Sequence, residues 1–128
     1  MVFGIGTDIL DRERLDRGLD EAFICRVYTQ AEQSQAGTRT NGRAFYATRF
    51  AAKEAVFKAL SPCLRDFRPR DIQTLADENG KPVVTLHGRT AAEVDAYLAG
   101  RPYTIALSVS CEEKTAIAFA VVQTAEDA

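Results

Sequence analysis

Residues 43–60 read Arg43-Ala44-Phe45-Tyr46-Ala47-Thr48-Arg49-Phe50-Ala51-Ala52-Lys53-Glu54-Ala55-Val56-Phe57-Lys58-Ala59-Leu60. Alanine fills six of these eighteen positions, and neither glycine nor proline interrupts them before Pro62. Alanine loses no side-chain freedom on entering a helix, so the stretch predicts the strongest helix in the chain, stopped by the proline. Phe50, Glu54 and Phe57 stand at i, i+4 and i+7, the spacing of one helix face. A carboxylate therefore lies in the stripe expected to be buried. Such a group needs a cation partner or a metal, because burying it unpaired is costly. Lys58, one turn further on, is the plain candidate: Glu54 and Lys58 have the favoured i, i+4 order of a helical ion pair.

Outward from this helix, the N-terminus alternates. Phe3, Ile5, Thr7 and Ile9 share one side, and Val2, Gly4, Gly6 and Asp8 the other, which predicts a short strand. Glycine inside a strand marks close approach by a ligand or another backbone. Asp8 has two readings. It is the N-cap of the helix that follows, or it joins Glu54 in holding a hard cation such as Mg²⁺, which takes one or two protein carboxylates and fills its other positions with water and phosphate oxygens. Arg49, Lys53, Lys58 and Lys81 would then supply charge for a phosphate-bearing substrate.

The rest of the chain supplies smaller elements. Asp11–Gly18 and Asp20–Tyr28 read as helical, and Thr29 with Glu32 has the spacing of a capping box. Gly37–Gly42 reads as a loop. Ile72–Ala76 and Val83–Leu86 read as strands about an Asp77-Glu78-Asn79-Gly80 turn, and Thr90–Leu98 as a helix closed by Gly100. Tyr103–Ser110 and Thr115–Val122 form a hairpin about residues 111–114. The fold class is α+β: a small, mainly antiparallel sheet packed against a long helix, in one domain over residues 1–128.

Composition narrows the function. Apolar residues at 46 % and charged residues at 27 % are ordinary globular usage, which excludes a disordered or collagen-like chain. A net charge of −2 gives no basis for nucleic-acid binding or for a polybasic membrane surface. No apolar run approaches the roughly 20 residues of a membrane span, and Met1–Gly6 lacks a signal peptide's basic start, so the expected location is the cytoplasm. Cys25, Cys63 and Cys111 are odd in number and widely spaced, which predicts reduced, buried thiols. His87, the single histidine, reads as a strand-end surface residue.

Gly4-Ile5-Gly6-Thr7-Asp8-Ile9, followed by Arg49-Phe50-Ala51-Ala52-Lys53-Glu54-Ala55-Val56-Phe57-Lys58-Ala59-Leu60, resembles the paired signature of holo-acyl-carrier-protein synthases, the short AcpS-type 4′-phosphopantetheinyl transferases. The likeness extends to Arg26-Val27-Tyr28-Thr29 with Glu32, to Asn79-Gly80-Lys81-Pro82, and to the last strand pair around Ser108. It implies the AcpS-type fold and transfer of 4′-phosphopantetheine from coenzyme A to a serine of an acyl carrier protein, with release of adenosine 3′,5′-bisphosphate. It implies Mg²⁺ on Asp8 and Glu54, with Lys58 near the phosphates as the third catalytic residue. Coenzyme A would meet Arg49, Lys58, Lys81, Pro82 and Ser108. A homotrimer is implied, with active sites between subunits and the carrier docked on Arg14 and Arg26. The serine proton would pass to Glu54 or to a metal-bound water oriented by a carboxylate, and the water is favoured because a carboxylate committed to Mg²⁺ is a weak base.

Two positions depart from the family pattern. Ala106 stands where a histidine is usual, and Ser61-Pro62-Cys63 where many members carry glycines. The missing histidine motivates an alternative, a non-catalytic relative that holds coenzyme A or the carrier protein. A third reading is a different metal-dependent phosphoryl-transfer enzyme that shares only the fold.

Overall fold

The computed structural model of the chain describes residues 1–125. In chain order the elements are β1 (Val2–Asp11), α1 (Arg12–Gly18), α2 (Glu21–Val27), α3 (Gln30–Gly37), α4 (Gly42–Ala59), β2 (Ile72–Ala76), β3 (Pro82–Leu86), α5 (Gly88–Leu98), β4 (Tyr103–Cys111) and β5 (Thr115–Thr124). A 3-10 turn, Pro69–Asp71, leads into β2. β1, β5 and β4 form an antiparallel sheet in that order, and β2 pairs with β3 in a separate antiparallel hairpin. The fold is α+β, as the pattern predicts.

Local chemistry sets the short helices. The Asp11 carboxylate accepts from the backbone N–H groups of Glu13 and Arg14, satisfying donors that the first turn of α1 leaves without partners. The cap is thus Asp11, and Asp8 lies three residues earlier inside β1 without that duty. Asp20 caps α2 through Phe23 N–H. The Thr29–Glu32 capping box closes in both directions: Thr29 N–H donates to Glu32 Oε1 at 2.8 Å and Glu32 N–H donates to Thr29 Oγ1 at 3.2 Å. The predicted loop at 37–42 shrinks to Thr38–Asn41, because α3 runs to Gly37 and Asn41 caps α4 at Gly42.

α4 lies across the inner face of the three-stranded sheet, and small residues line both surfaces. Ala47, Ala51, Ala52, Ala55 and Ala59 of α4 are buried in one apolar cluster with Ala116, Ala118, Ala120 and Val122 of β5. β1 approaches closer still. A Cβ at Gly4 would stand 1.9 Å from the Ala59 carbonyl oxygen, and one at Gly6 would stand 1.9 Å from that of Ala55. The close approach predicted from these glycines is therefore to the backbone of α4.

That closeness corrects the predicted stripe. Only alanine and valine fit the middle of the seam, so Phe50, Glu54 and Phe57 flank it, half-buried. The large rings pack sideways instead: Phe67 meets Phe57 at 5.2 Å and Phe50 at 6.4 Å between centroids, and Phe23 meets Phe50 at 5.9 Å. The thiols are also corrected. All three cysteines are free, but Cys25 is exposed and Cys63 and Cys111 are only partly covered. His87 is exposed just after β3, as expected.

Candidate active site

Asp8 sits on the helix-facing side of β1, two residues beyond Gly6, where the strand runs against α4. Its side chain is 13 % exposed, and its Oδ1 accepts from Lys58 Nζ at 3.2 Å. The same ammonium donates to the Thr7 carbonyl oxygen at 3.0 Å. The i, i+4 ion pair expected between Glu54 and Lys58 is absent among the described residues. Lys58 leans across to β1 instead, because the glycines bring the strand within its reach.

Glu54 is left half-buried with no donor to its carboxylate among the described residues. Burial pushes its carboxyl above the usual range, the nearby Asp8 charge pushes the same way, and Lys58 opposes both. Two carboxylates thus share one cation, and the pair gains from a second positive charge. No group of three or more His, Cys, Asp or Glu side chains suited to a metal exists among the described residues. Two carboxylates suit Mg²⁺, which keeps most of its positions for water and substrate oxygens. Asp8 and Glu54 fit that ion: Glu54 accepts no hydrogen bond among the described residues, and burial together with the Asp8 charge makes its anion costlier than in water.

The other candidates scatter. Lys53, counted with the phosphate-binding charges, is withdrawn from that role. It is fully buried, with Nζ at 2.8 Å from both carboxylate oxygens of Glu32, 2.9 Å from Pro69 O and 2.7 Å from Ile72 O. Arg49 is only 6 % exposed, and its guanidinium carbon lies 4.3 Å from the centroid of the Phe45 ring. It donates to Thr48 Oγ1 at 3.3 Å, while its buried Nε has no partner in the structure. Burial and the neighbouring Arg39 both push its pKa down. Arg39 also stands over Phe45, at 5.4 Å. On helical geometry Arg49 points about 140° away from Glu54 around α4.

Lys81 and Pro82 lie on the β2–β3 hairpin, where Lys81 N–H donates to Asp77 Oδ1 at 2.8 Å and the Lys81 side chain is exposed. Ser108 is exposed on the outer face of the sheet, opposite to the face that bears Asp8. One copy of the chain therefore does not bring Ser108 to the carboxylates. Arg14 and Arg26 are exposed on α1 and α2, and neither is in an ion pair among the described residues. Sequence reasoning missed the Glu32–Lys53 pair. Its signal was there: the capping-box glutamate, and a lysine within an alanine-rich buried stripe.

The profile of the 4′-phosphopantetheinyl transferase superfamily matches residues 4–108. The chain belongs to that superfamily. The matched span contains every candidate site residue from Asp8 to Ser108. Among curated relatives of this transferase, the holo-[acyl-carrier-protein] synthase of Magnetococcus marinus is 42 % identical, over 96 % of this chain and 94 % of its own length. Among solved structures, the holo-[acyl-carrier-protein] synthase of Neisseria meningitidis superposes with a TM-score of 0.80 at 33 % identity, covering 96 % of this chain and 99 % of that one. The Bacillus anthracis synthase, solved in complex with coenzyme A (3′,5′-ADP), superposes with a TM-score of 0.75 at 28 % identity, over 98 % of this chain and 99 % of that one.

Proposed function

We propose that this transferase moves the 4′-phosphopantetheine group of coenzyme A onto a serine hydroxyl of an acyl carrier protein, with Mg²⁺, releasing adenosine 3′,5′-bisphosphate. The observation that carries this reading is the Asp8–Glu54–Lys58 cluster, two carboxylates and one ammonium gathered from β1 and α4 in a chain of this family. When bound, Mg²⁺ on Asp8 and Glu54 would supply charge neutralisation for the pyrophosphate oxygens.

The serine Oγ attacks the β-phosphorus, the bond from that phosphorus to the bridging oxygen breaks, and the electron pair leaves on the α-phosphate of the released nucleotide. The Lys58 ammonium, half-exposed beside Asp8, offers its remaining donor capacity to a phosphate oxygen. The serine proton passes to Glu54 or to a water oriented by a carboxylate, and the water is favoured because Glu54 would be committed to Mg²⁺. Lys81 with Pro82, on the β2–β3 hairpin, offers a second anionic contact for coenzyme A, whereas Arg49, buried against Phe45, offers none in this arrangement.

The whole chain acts as one unit, in the cytoplasm, as a homotrimer with active sites between subunits. The outer face of the sheet supports that assembly. Ile5, Ile9 and Phe119 there are 62 %, 73 % and 51 % exposed, beside Ile117 and Ser108. Ser108 can serve the carboxylates only from a neighbouring copy. No helix among the described residues is long and apolar enough to cross a membrane.

The test is direct. The chain is incubated with an apo carrier protein, coenzyme A and Mg²⁺, and the carrier is weighed by mass spectrometry. Addition of one phosphopantetheine group, lost on chelation of the metal, is the expected result. Coenzyme A binding without transfer would favour the non-catalytic alternative that Ala106 motivates.

A further inference from the structure

The Pro69–Asp71 turn holds none of the candidate site residues, yet two supports of the site meet in it. From one side Lys53, the residue before Glu54, donates to Pro69 O at 2.9 Å and to Ile72 O at 2.7 Å. From the other, Arg70 donates through Nη1 to the carbonyl oxygens of Cys25 and Tyr28, the latter at 2.8 Å. These carbonyls close the C-terminal end of α2, a helix of seven residues. A helix that short does not hold its shape alone, and its last carbonyls have no donors of their own. Arg70 supplies them, helped at Tyr28 O by Gln33 Nε2 at 3.0 Å. Arg26, exposed, lies in that same last turn.

We infer that Arg70 is a positioning residue for the carrier protein, fixing the last turn of α2, and Arg26 on it, at a set offset from Glu54 on α4. The links are Arg70 to the α2 carbonyls, the turn's own backbone, and Lys53 to that backbone. The inference rests on the reading that an acidic carrier docks on Arg14 and Arg26. A carrier held by Arg26 must deliver its serine to the phosphorus beside Glu54. If α2 drifts, Arg26 holds its docking position for only a fraction of the time, and the apparent affinity for the carrier falls by that fraction. None of the residues proposed to meet coenzyme A lies on α2, so its KM should not sense the drift.

The experiment measures kcat and KM for both substrates in Arg70→Met, Arg70→Lys, Arg26→Ala and the Arg26→Ala/Arg70→Met double variant. Arg70→Met should raise the carrier KM about five- to tenfold, as when the docking position of α2 is held for roughly a fifth to a tenth of the time, with the coenzyme A KM held within about twofold. Arg70→Lys, which keeps a cation able to reach the carbonyls, should recover most of the loss. In the Arg26→Ala background, Arg70→Met should add less than about twofold. Should Arg70→Met fail to fold, Arg70→Lys alone and combined with Arg26→Ala gives the same comparison at smaller amplitude. Additive effects would mean that Arg70 acts apart from Arg26 and would overturn the inference. Parallel rises in both KM values would do the same, since a general loss of structure spares neither substrate. An unchanged carrier KM in Arg26→Ala would overturn the docking reading itself, and this inference with it.

Discussion

Five residues apart on α4, Lys53 and Lys58 each hold a carboxylate from another element, Glu32 of α3 and Asp8 of β1. Lys53 and Glu32 are both 0 % exposed, and every donor and acceptor they own is spoken for by Thr29, Thr74, Pro69, Ile72 or each other. Lys58 is 51 % exposed, its partner Asp8 is mostly covered, and a second carboxylate, Glu54, stands near them unpaired. The two pairs use the same chemistry to opposite ends. The saturated pair has nothing left to offer a ligand and ties α3, α4 and β2 together. The unsaturated group keeps unpaired carboxylate oxygens and a half-exposed ammonium, as the proposed uptake of a cation and phosphates requires.

The sharpest break of this contrast lies at the unsaturated group. Asp8→Ala and Glu54→Ala should each abolish transfer, because each removes one of only two proposed protein ligands for the metal. Circular dichroism and melting should stay close to the parent, since no buried ion pair is broken. Turnover near the parent's at saturating Mg²⁺ would sink the metal assignment.

Next comes the saturated pair. Lys53→Met strands the Glu32 carboxylate in the core, and removing one partner of a buried pair costs about 3–5 kcal/mol. Denaturant unfolding should show that loss, and Lys53→Met combined with Glu32→Leu should recover part of it. A Lys53→Met variant that is fully stable yet slow would mean the two lysines had been assigned to the wrong roles.

Lys58→Met sharpens the same contrast from the other side. As a phosphate contact, the ammonium is worth on the order of 1.5–3 kcal/mol in kcat/KM for coenzyme A. As a half-exposed partner of Asp8 alone, it is worth at most about 1 kcal/mol of stability. The first outcome is expected, read by steady-state kinetics beside a thermal melt. The smallest effect belongs to the docking surface. Reversing Arg14 and Arg26 to Glu should raise the carrier KM more than the coenzyme A KM, and salt should raise it too, because exposed charges are screened beyond about 8–10 Å near physiological ionic strength.

The contrast was only half legible in the sequence. The Ala-rich run announced α4, the paired glycines announced a close approach, and Thr29 with Glu32 announced a capping box. Each of these is a local signal, decided within a few residues. What stayed hidden was decided across the fold. Spacing along α4 offers Glu54 as the partner of Lys58, whereas the partner in the structure is Asp8, fifty residues away in sequence. Lys53 reads as one more surface charge until α3 and β2 close over it. Arg49 reads as an accessible cation until Phe45 lies beneath its guanidinium. Spacing places Glu54 in the buried stripe, whereas the centre of the seam admits only alanine and valine and leaves Glu54 half-buried at its edge.

Gly4 and Gly6 have one more consequence, for how this chain can change over generations. Replacing a strand glycine by alanine ordinarily trims the freedom of the unfolded chain and stabilises the fold by about 0.4–1 kcal/mol. Here the added methyl would meet a helix carbonyl oxygen at 1.9 Å, so even the smallest side chain must pry β1 away from α4. The same displacement would draw Asp8 away from Glu54 and Lys58. If the proposed site is the active one, a variant at these two positions cannot exchange stability for activity, because one gap sets both. A library randomised at either position should return two losses together wherever glycine is replaced.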